Sequence, residues 1–184
     1  KEFKVKLLVT HKNFSEIIKQ IRIFKPEIVV VINEEICIKL KKKCKHRKIV
    51  ILNNIKHISK YIKKIDITVS AIPGIAGLEP TILFAKISKK ILIANKEAII
   101  CGWDLIKKNA IKYKTELVAI DSEHFSIMNL IKNFPINKVE KIFITASGGP
   151  FLKLKLNNFK NIKPKNAIEH PKWSMGKKIS VDSA

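Results

Sequence analysis

The chain has 184 residues, 46% of them hydrophobic, which is enough for a folded core and too many for a disordered protein. Its 37 lysines and arginines against 15 acidic residues give a net charge of +22, but the lysines are spread through every segment and only Arg22 and Arg47 are arginines. No apolar run reaches the roughly 18 to 20 residues of a membrane helix, and the charged start does not resemble a signal peptide. We therefore expect a globular protein that binds neither membrane nor nucleic acid, although its charge favours anionic small molecules.

Six short runs rich in β-branched residues alternate with segments of helical spacing. The runs cover residues 3–11, 27–32, 48–52, 66–72, 91–95 and 116–120. Between the first two, residues 14–24 place Ile17, Ile21 and Phe24 on one face of a helix. Apolar strands separated by helices predict an α/β fold with a Rossmann-like, doubly wound parallel sheet. Ligands of such a sheet bind at the carboxyl ends of its strands.

Polar residues follow three of the predicted strands, in the sequences "THKN" (10–13), "ANKE" (94–97) and "DSEH" (121–124). In the last of these, two carboxylates stand one residue apart where a strand leads into a helix. Two interpretations are open. Asp121 or Ser122 could cap the helix while Glu123 complements its dipole. Alternatively, the carboxylates could bind a ligand at the strand ends.

The pattern changes after residue 140. The run "KIFIT" (141–145) predicts a further strand, and Ser147-Gly148-Gly149-Pro150 predicts a turn that exposes backbone N–H groups and a hydroxyl. Residues 170–176 fit neither a helical nor a strand period, which predicts a loop. Because Trp173 and Met175 are apolar residues in this loop, we expect it to act as a lid.

Two common kinds of site lack their sequence signatures. Cys37, Cys44 and Cys101 form no paired framework, which indicates a reducing compartment, and the spacing of the first two with a following histidine matches no common zinc module. The stretch "PGIAG" (73–77) lacks the G-x-G-x-x-G spacing of a dinucleotide-binding turn. Either the chain is not a dinucleotide-binding fold, or it begins after the first strand–helix unit of one.

The ordered set "ANKEAIICG", "DSEHFSI", "ASGGPF" and "HPKWSMGKKISVDSA" closely resembles the 1-deoxy-D-xylulose 5-phosphate reductoisomerase family, over essentially the whole chain. The resemblance implies rearrangement and reduction of 1-deoxy-D-xylulose 5-phosphate to 2-C-methyl-D-erythritol 4-phosphate, in non-mevalonate isoprenoid biosynthesis. The implied cofactors are NADPH and a divalent metal, Mg²⁺ or Mn²⁺, with Co²⁺ as a further option. The complete enzyme is expected to be a homodimer in the bacterial cytoplasm or the plastid stroma.

The resemblance also assigns roles to individual residues. Asp121 and Glu123 match metal ligands and, with Lys96 and His170, form the expected catalytic set. The positions that match substrate contacts are Lys96, Ser122, Glu123, Ser147, His170 and Ser183. The positions that match cofactor contacts are His11, Lys12, Asn13, Asn95, Glu97 and Gly176. His11 stands where the family commonly has glycine.

The resemblance implies an internal fragment in two domains. Residues 1–120 would be an NADPH-binding, Rossmann-like domain without its first strand–helix unit, and residues 121–184 would begin the catalytic domain, with the lid near 170–178. A third metal carboxylate would lie beyond Ala184, so we expect the fragment alone to be inactive. His124 is expected to be structural, because no partner is spaced to orient it.

Two rival interpretations remain at this point. The first is another NADPH-dependent Rossmann reductase, which would need a catalytic cysteine or lysine in its second domain, whereas no cysteine follows Cys101. The second is a basic, non-enzymatic module that binds nucleic acid, and it rests on the net charge alone.

Overall fold

The computed structural model describes residues 3–172 and 176–182. The strands are β1 (Leu7–Thr10), β2 (Ile28–Val31), β3 (Val50–Leu52), β4 (Ile65–Ser70), β5 (Ser88–Ile93) and β6 (Glu116–Ala119). The helices are α1 (Phe14–Phe24), α2 (Glu34–Lys43), α3 (Leu78–Ala85), α4 (Lys96–Tyr113), α5 (Ser122–Ile131), α6 (Pro164–Ala167) and α7 (Lys177–Asp182). Short 3-10 turns occur at Ile58–Lys60, Ile75–Gly77, Ile136–Lys138 and Leu156–Asn161. All six strands expected in the first 120 residues are present, and they alternate with helices except between β3 and β4, which only the 3-10 turn at Ile58–Lys60 separates.

The strands form two parallel sheets of three strands each. In the first the order is β1-β2-β3, and in the second it is β4-β5-β6. Leu7 is opposite Ile28 at the start of the first sheet, and Ile93 is opposite Ala119 at the end of the second. Because every pairing is parallel, each connection crosses back through a helix or loop and the carboxyl ends of paired strands lie at the same edge.

Two apolar clusters cover the faces of these sheets. One packs Ile17 and Ile21 of α1 and Leu40 of α2 against Val29 and Val31 on one face of β2. The other joins the two sheets: it contains Val30 from the opposite face of β2, together with Ile91 and Ile93 of β5. Partly buried side chains of β1 and β4 pack against this second cluster, although β1 and β4 are not paired with each other. Burial on both faces explains why β2 consists entirely of apolar residues.

The helices begin at short polar caps. The side chain of Asn13 accepts from the backbone N–H of Glu16 at the start of α1, and Asn33 accepts from Ile36 at the start of α2. Such caps satisfy N–H groups that have no partner within the helix. Lys25 ends α1 in the left-handed conformation, with φ of 49°.

The chain forms two compact units, Lys1–His124 and Phe125–Ala184. The predicted strand "KIFIT" is wrong: residues 141–145 have no regular secondary structure and are exposed. Phe143 is 85% exposed and Ile144 69%. The apolar, β-branched run has strand propensity, but a strand also needs a partner, and residues 3–172 and 176–182 supply none for it.

Within the part of the chain that the structure describes, no helix combines the length and the hydropathy needed to cross a bilayer.

Candidate functional site

The best-defined polar cluster of the first unit lies where β5 and β6 end. Ile93 and Ala119 are partners in the register of these strands, so Asn95 and Lys96, and likewise Asp121, follow strand ends at the same edge of the sheet. Lys96 begins α4, and Glu123 lies in the first turn of α5. The fold therefore brings together two of the polar tails that are more than 20 residues apart in sequence.

A lysine lies between the two carboxylates of the "DSEH" turn. Lys96 Nζ is 3.5 Å from Asp121 Oδ2 and 3.2 Å from Glu123 Oε1. Burial lowers the pKa of Lys96, but the hydrogen bond and charge of Glu123 and the charge of Asp121 outweigh it, so the net pKa is raised. Lys96 is therefore a stable cation at neutral pH.

Glu123 is held in its ionised form. The Ser122 hydroxyl donates a hydrogen bond of 2.7 Å to Glu123 Oε2. This bond, the residue's own backbone N–H and the ammonium of Lys96 together lower the pKa of Glu123 to about 2. The sign of the shift means that Glu123 keeps its negative charge, and with it the ability to ligate a cation, down to acidic pH.

Asp121 is the most enclosed group of the cluster, with a side chain that is 9% exposed. Its Oδ1 is 2.5 Å from His124 Nδ1, and its buried Oδ2 makes no hydrogen bond, only the ion pair with Lys96. None of the described hydrogen bonds joins the Asp121 carboxylate to a backbone N–H of α5. The capping interpretation of Asp121 is therefore not supported, and an enclosed oxygen without a hydrogen bond is a natural position for a cation ligand.

The carboxylates of Asp121 and Glu123 fit a hard divalent cation as two oxygen ligands. Both already approach one positive charge, the Lys96 ammonium, which occupies the kind of position that a metal ion would take between them. Among residues 3–172 and 176–182, no group of three His, Cys, Asp or Glu side chains is arranged to hold a metal. The described residues thus provide part of a coordination sphere, since magnesium and calcium sites use six or more oxygens.

The partner of His124 corrects the sequence-based expectation that nothing would orient this residue. The missed signal was the spacing of three residues between Asp121 and His124, which places both on one face of a helix start. The imidazole bonds Oδ1 of Asp121 whereas Lys96 approaches Oδ2, so His124 contributes to the orientation of the carboxylate.

Asn95 is buried and its side chain is used inside the protein. Its oxygen accepts from the N–H of Ala98 at the start of α4, at 2.9 Å. Its amide nitrogen donates to the carbonyls of Ile72 and Gly74, the latter at 2.9 Å. A Cβ at Gly77 would collide with this amide, so the turn after β4 closes tightly around Asn95. The geometry shows a residue that ties this turn to α4.

The other cofactor candidates of the first unit follow β1 or begin α4. His11, Lys12 and Asn13 are exposed at the carboxyl end of β1, where Asn13 caps α1. Glu97 lies in the first turn of α4, directly after Asn95 and Lys96. The predicted cofactor contacts of this unit thus form two groups. Each group lies at the carboxyl ends of the strands of one sheet.

In the second unit, Ser147 and His170 form a pair. Ser147 Oγ is 2.8 Å from His170 Nε2, and it also accepts from the Gly149 N–H at 3.2 Å. The backbone N–H of Lys172 donates to His170 Nδ1 at 3.1 Å. Because Nδ1 acts as an acceptor, the proton of the neutral imidazole is on Nε2 and is donated to Ser147. Ser147 is therefore arranged as a binding hydroxyl and not as a nucleophile activated by histidine.

The remaining predicted residues lie near the end of the chain. Gly176 is exposed, with φ of 95°, and directly precedes α7. Ser183, Trp173 and Met175 lie outside the described residues. The substrate contact of Ser183 and the lid with Trp173 and Met175 therefore remain predictions.

Comparison with known proteins places the whole chain in one group. Residues 1–102 match the family model for 1-deoxy-D-xylulose 5-phosphate reductoisomerase, and residues 117–184 match the model for its C-terminal domain. The reductoisomerase of Pelagibacter ubique is 49% identical over all of this chain and 48% of its own length. That of Sulfurihydrogenibium sp. is 40% identical over all of this chain and 46% of its own length.

Solved structures give the same result. A crystal structure of DOX-P reductoisomerase in complex with NADPH, fosmidomycin and magnesium superposes with a TM-score of 0.83 at 29% identity, over 100% of this chain and 48% of the other. The Zymomonas mobilis enzyme in complex with NADPH has a TM-score of 0.79 at 27% identity, over 99% of this chain and 47% of its own. The chain spans about half the length of the curated relatives it matches. It belongs to the 1-deoxy-D-xylulose 5-phosphate reductoisomerase family.

Proposed function

We propose that the complete protein converts 1-deoxy-D-xylulose 5-phosphate to 2-C-methyl-D-erythritol 4-phosphate, using NADPH and a divalent metal. The observation that carries this proposal is the cluster of Lys96, Asp121 and Glu123 at two neighbouring strand ends, in a chain whose relatives are reductoisomerases. The solved relative that binds NADPH, fosmidomycin and magnesium supports the same cofactors here. Family membership speaks against both rival interpretations, another Rossmann reductase and a basic nucleic-acid-binding module.

Asp121 and Glu123 are the proposed ligands of the metal. When bound, a Mg²⁺, Mn²⁺ or Co²⁺ ion would act as a Lewis acid on the substrate carbonyl. Glu123 suits the role because its low pKa keeps it ionised, and Asp121 suits it because His124 holds one oxygen and leaves the other without a hydrogen bond. Each carboxylate thus presents an oxygen in a fixed direction.

The proposed substrate contacts are Lys96, Ser122 and Glu123 in the first unit, with His170, Ser147 and Ser183 later in the chain. Lys96 provides a permanent positive charge for an oxygen of the substrate. The hydroxyl of Ser147, fixed by His170 and the Gly149 N–H, suits an oxygen of the phosphate. With Asp121, the residues Lys96, Glu123 and His170 make up the proposed catalytic set.

NADPH would supply the hydride for the reduction. The proposed cofactor contacts are His11, Lys12, Asn13, Asn95, Glu97 and Gly176. Lys12 is exposed beside the N-terminus of α1, which suits the extra phosphate of NADPH. The side chain of Asn95 is already bonded to the turn at Ile72 and Gly74, so its proposed role is to fix the shape of the cofactor site.

We also propose the domain assignment, with residues 1–120 binding NADPH and residues 121–184 beginning the catalytic domain. The complete protein is proposed to be a homodimer of the bacterial cytoplasm or the plastid stroma. Light scattering coupled to size-exclusion chromatography would test the dimer directly, because a mass equal to one complete chain would contradict it.

The decisive experiment replaces each proposed metal ligand by its amide in the complete protein. Asp121→Asn and Glu123→Gln should each lower turnover by at least about 100-fold, since each removes a charged ligand while keeping its size. NADPH oxidation at 340 nm, with 1-deoxy-D-xylulose 5-phosphate and Mg²⁺, measures the loss. Asp104→Asn, on the exposed side of α4, is the matched control and should keep full activity. Near-normal turnover of either ligand variant would show that the metal is bound elsewhere.

A further inference from the structure

The two arginines of this lysine-rich chain line one cavity. The net charge is carried by 37 basic residues, of which only Arg22 and Arg47 are arginines. The cavity that both of them line lies between the ends of α1 and α2 and measures about 30 Å³. Its lining residues are Ile18, Ile21, Arg22, Lys43, Cys44 and Arg47. Three of these six residues are cationic and none is acidic.

The backbone around this cavity is well defined. Arg22 is in the last turn of α1, four residues after Ile18, and so lies on the same face of the helix. Cys44 ends α2, and its backbone N–H donates to the carbonyl of Leu40. Arg47 lies in the turn that follows, and its backbone N–H donates to the carbonyl of Cys44 at 2.9 Å. Ile21 and Cys44 are buried beneath the three exposed cations.

Within the part of the chain that the structure describes, the three cations form no ion pair with an acidic residue. None of the ion pairs among residues 3–172 and 176–182 includes Arg22, Lys43 or Arg47. The acidic residues of the two helices, Glu16, Glu34 and Glu35, are in their first turns, at the opposite ends. Three like charges around one concavity repel each other unless an anion lies between them.

The dipoles of the helices account for part of this arrangement only. Cations are favoured near helix C-termini, and α1 and α2 both end here. Each C-terminus carries about −0.5 elementary charge, so the two together offset about one of the three positive charges. A surplus of positive charge therefore remains around the cavity, and it favours an anion.

Arginine is the side chain suited to an oxyanion in such a position. Its planar guanidinium presents paired N–H donors that match two oxygens of a phosphoryl group, whereas lysine offers a point charge. A cavity of about 30 Å³ has room for about two oxygen-sized atoms, at ~10–15 Å³ each. From these observations we propose that Arg22, Lys43 and Arg47 form a binding site for a phosphoryl group, either free phosphate or the end of a small phosphomonoester.

This site is separate from the proposed catalytic cluster. Helices α1 and α2 connect parallel strands, so they run from the carboxyl edge of the sheet back to its amino edge. Arg22 and Arg47 therefore lie at the edge opposite His11 and Lys12. The site does not depend on the proposed function, and a phosphate ligand there would add to the substrate and NADPH.

The test follows the Nε–H signals of the two arginines by NMR in the complete protein, because calorimetry alone would also report phosphate at the catalytic site. The signals are assigned by their loss in Arg22→Lys and in Arg47→Lys. Titration with inorganic phosphate, and separately with glycerol 3-phosphate, is done at constant ionic strength. We expect both signals to shift together and to saturate. The ligand that binds more tightly then shows whether the site takes free phosphate or a phosphomonoester.

Two double variants separate a built site from general attraction by charge. Arg22→Lys with Arg47→Lys keeps every charge but removes both planar forks, and it should weaken phosphate binding by at least about tenfold. Because this variant has neither arginine Nε–H signal, its phosphate affinity is measured from the shift of the Cys44 backbone amide signal. Lys107→Gln with Lys108→Gln removes two exposed charges of α4 and should leave the affinity unchanged. The proposal is overturned if the arginine signals do not saturate, if the lysine double variant binds phosphate as tightly as the wild type, or if the glutamine variant loses as much.

Discussion

Asp121 is positioned by contacts on two sides. His124 bonds Oδ1, and Lys96 pairs with Oδ2 without a hydrogen bond. Groups that orient a metal-binding carboxylate contribute to affinity without touching the metal, typically by 10–100-fold. His124 is therefore the residue through which the cluster can be weakened without removing a ligand.

We predict that His124→Ala in the complete protein weakens Mg²⁺ binding by about tenfold while leaving NADPH affinity unchanged, because the Asp121 carboxylate loses the bond that fixes its rotamer. Mg²⁺ titrations of activity and fluorescence titrations with NADPH measure the two effects. His46→Ala is the control, since His46 is exposed beyond the end of α2. An unchanged Mg²⁺ requirement in His124→Ala would leave this histidine without a role in the site.

At the scale of secondary-structure elements, Asn95 joins a turn to a helix. We predict that Asn95→Asp destabilises the complete protein by about 1 to 3 kcal/mol, because a carboxylate preserves the cap of α4 but cannot donate to the carbonyls of Ile72 and Gly74. Asn13→Asp is the matched control: Asn13 also caps a helix, but it is exposed and its side chain acts there as an acceptor. Urea unfolding of both variants measures the difference. Equal stabilities would show that the two donated bonds contribute nothing.

Helix α4 contains a second element-level feature, an interruption at Gly102. This residue has φ of −149° and ψ of 29°, and a Cβ on it would collide with the side chain of Leu78 in α3. An alanine in place of glycine usually stabilises a helix by about 1 kcal/mol. Here the side chain of Leu78 would have to move to make room for a methyl group, which opposes that gain.

We predict that Gly102→Ala lowers the free energy of unfolding, and that Leu78→Ala in the same chain restores part of the loss by making room. A double-mutant cycle from urea unfolding gives the coupling, expected to be about 1 kcal/mol or more between residues in contact. Additive effects of the two substitutions would contradict the predicted collision.

The elements also show what could be read from the sequence. The six strands were predictable because each contains a run of β-branched and apolar residues, of which β2 is buried on both faces. The tails "ANKE" and "DSEH" after two of these strands contain the residues that form the polar cluster. Residues 141–145 have a similar composition, but residues 3–172 and 176–182 provide no strand that pairs with them. Pairing depends on distant segments that a local pattern does not contain. The bonds of Asn95 to Ile72 and Gly74 were equally out of reach, since they join residues more than 20 positions apart.

At the scale of the whole molecule, the described chain leaves strand edges and apolar side chains uncovered. Strands β1 and β4 flank a shared core without pairing to each other, so each has one unpaired edge. In the second unit, Phe143 is 85% exposed and Leu156 80%. Unpaired edges and exposed apolar groups are templates for association. The high positive charge opposes association only at low salt, because salt screens it.

We predict that residues 1–184, produced alone, are inactive and self-associate as salt is raised. The two carboxylates at Asp121 and Glu123 are too few to fix a divalent ion against water, so turnover should be absent. Light scattering at about 0.05 M and 0.5 M salt should show growing aggregates at the higher salt, where the Debye length falls from ~14 Å to ~4 Å. The complete protein, with the same net charge in this half, is the comparison and should stay dispersed at both. A fragment that oxidises NADPH faster than a control without enzyme would show that the two carboxylates are sufficient for activity. A fragment that remains monomeric at high salt would show that the uncovered strand edges do not cause association.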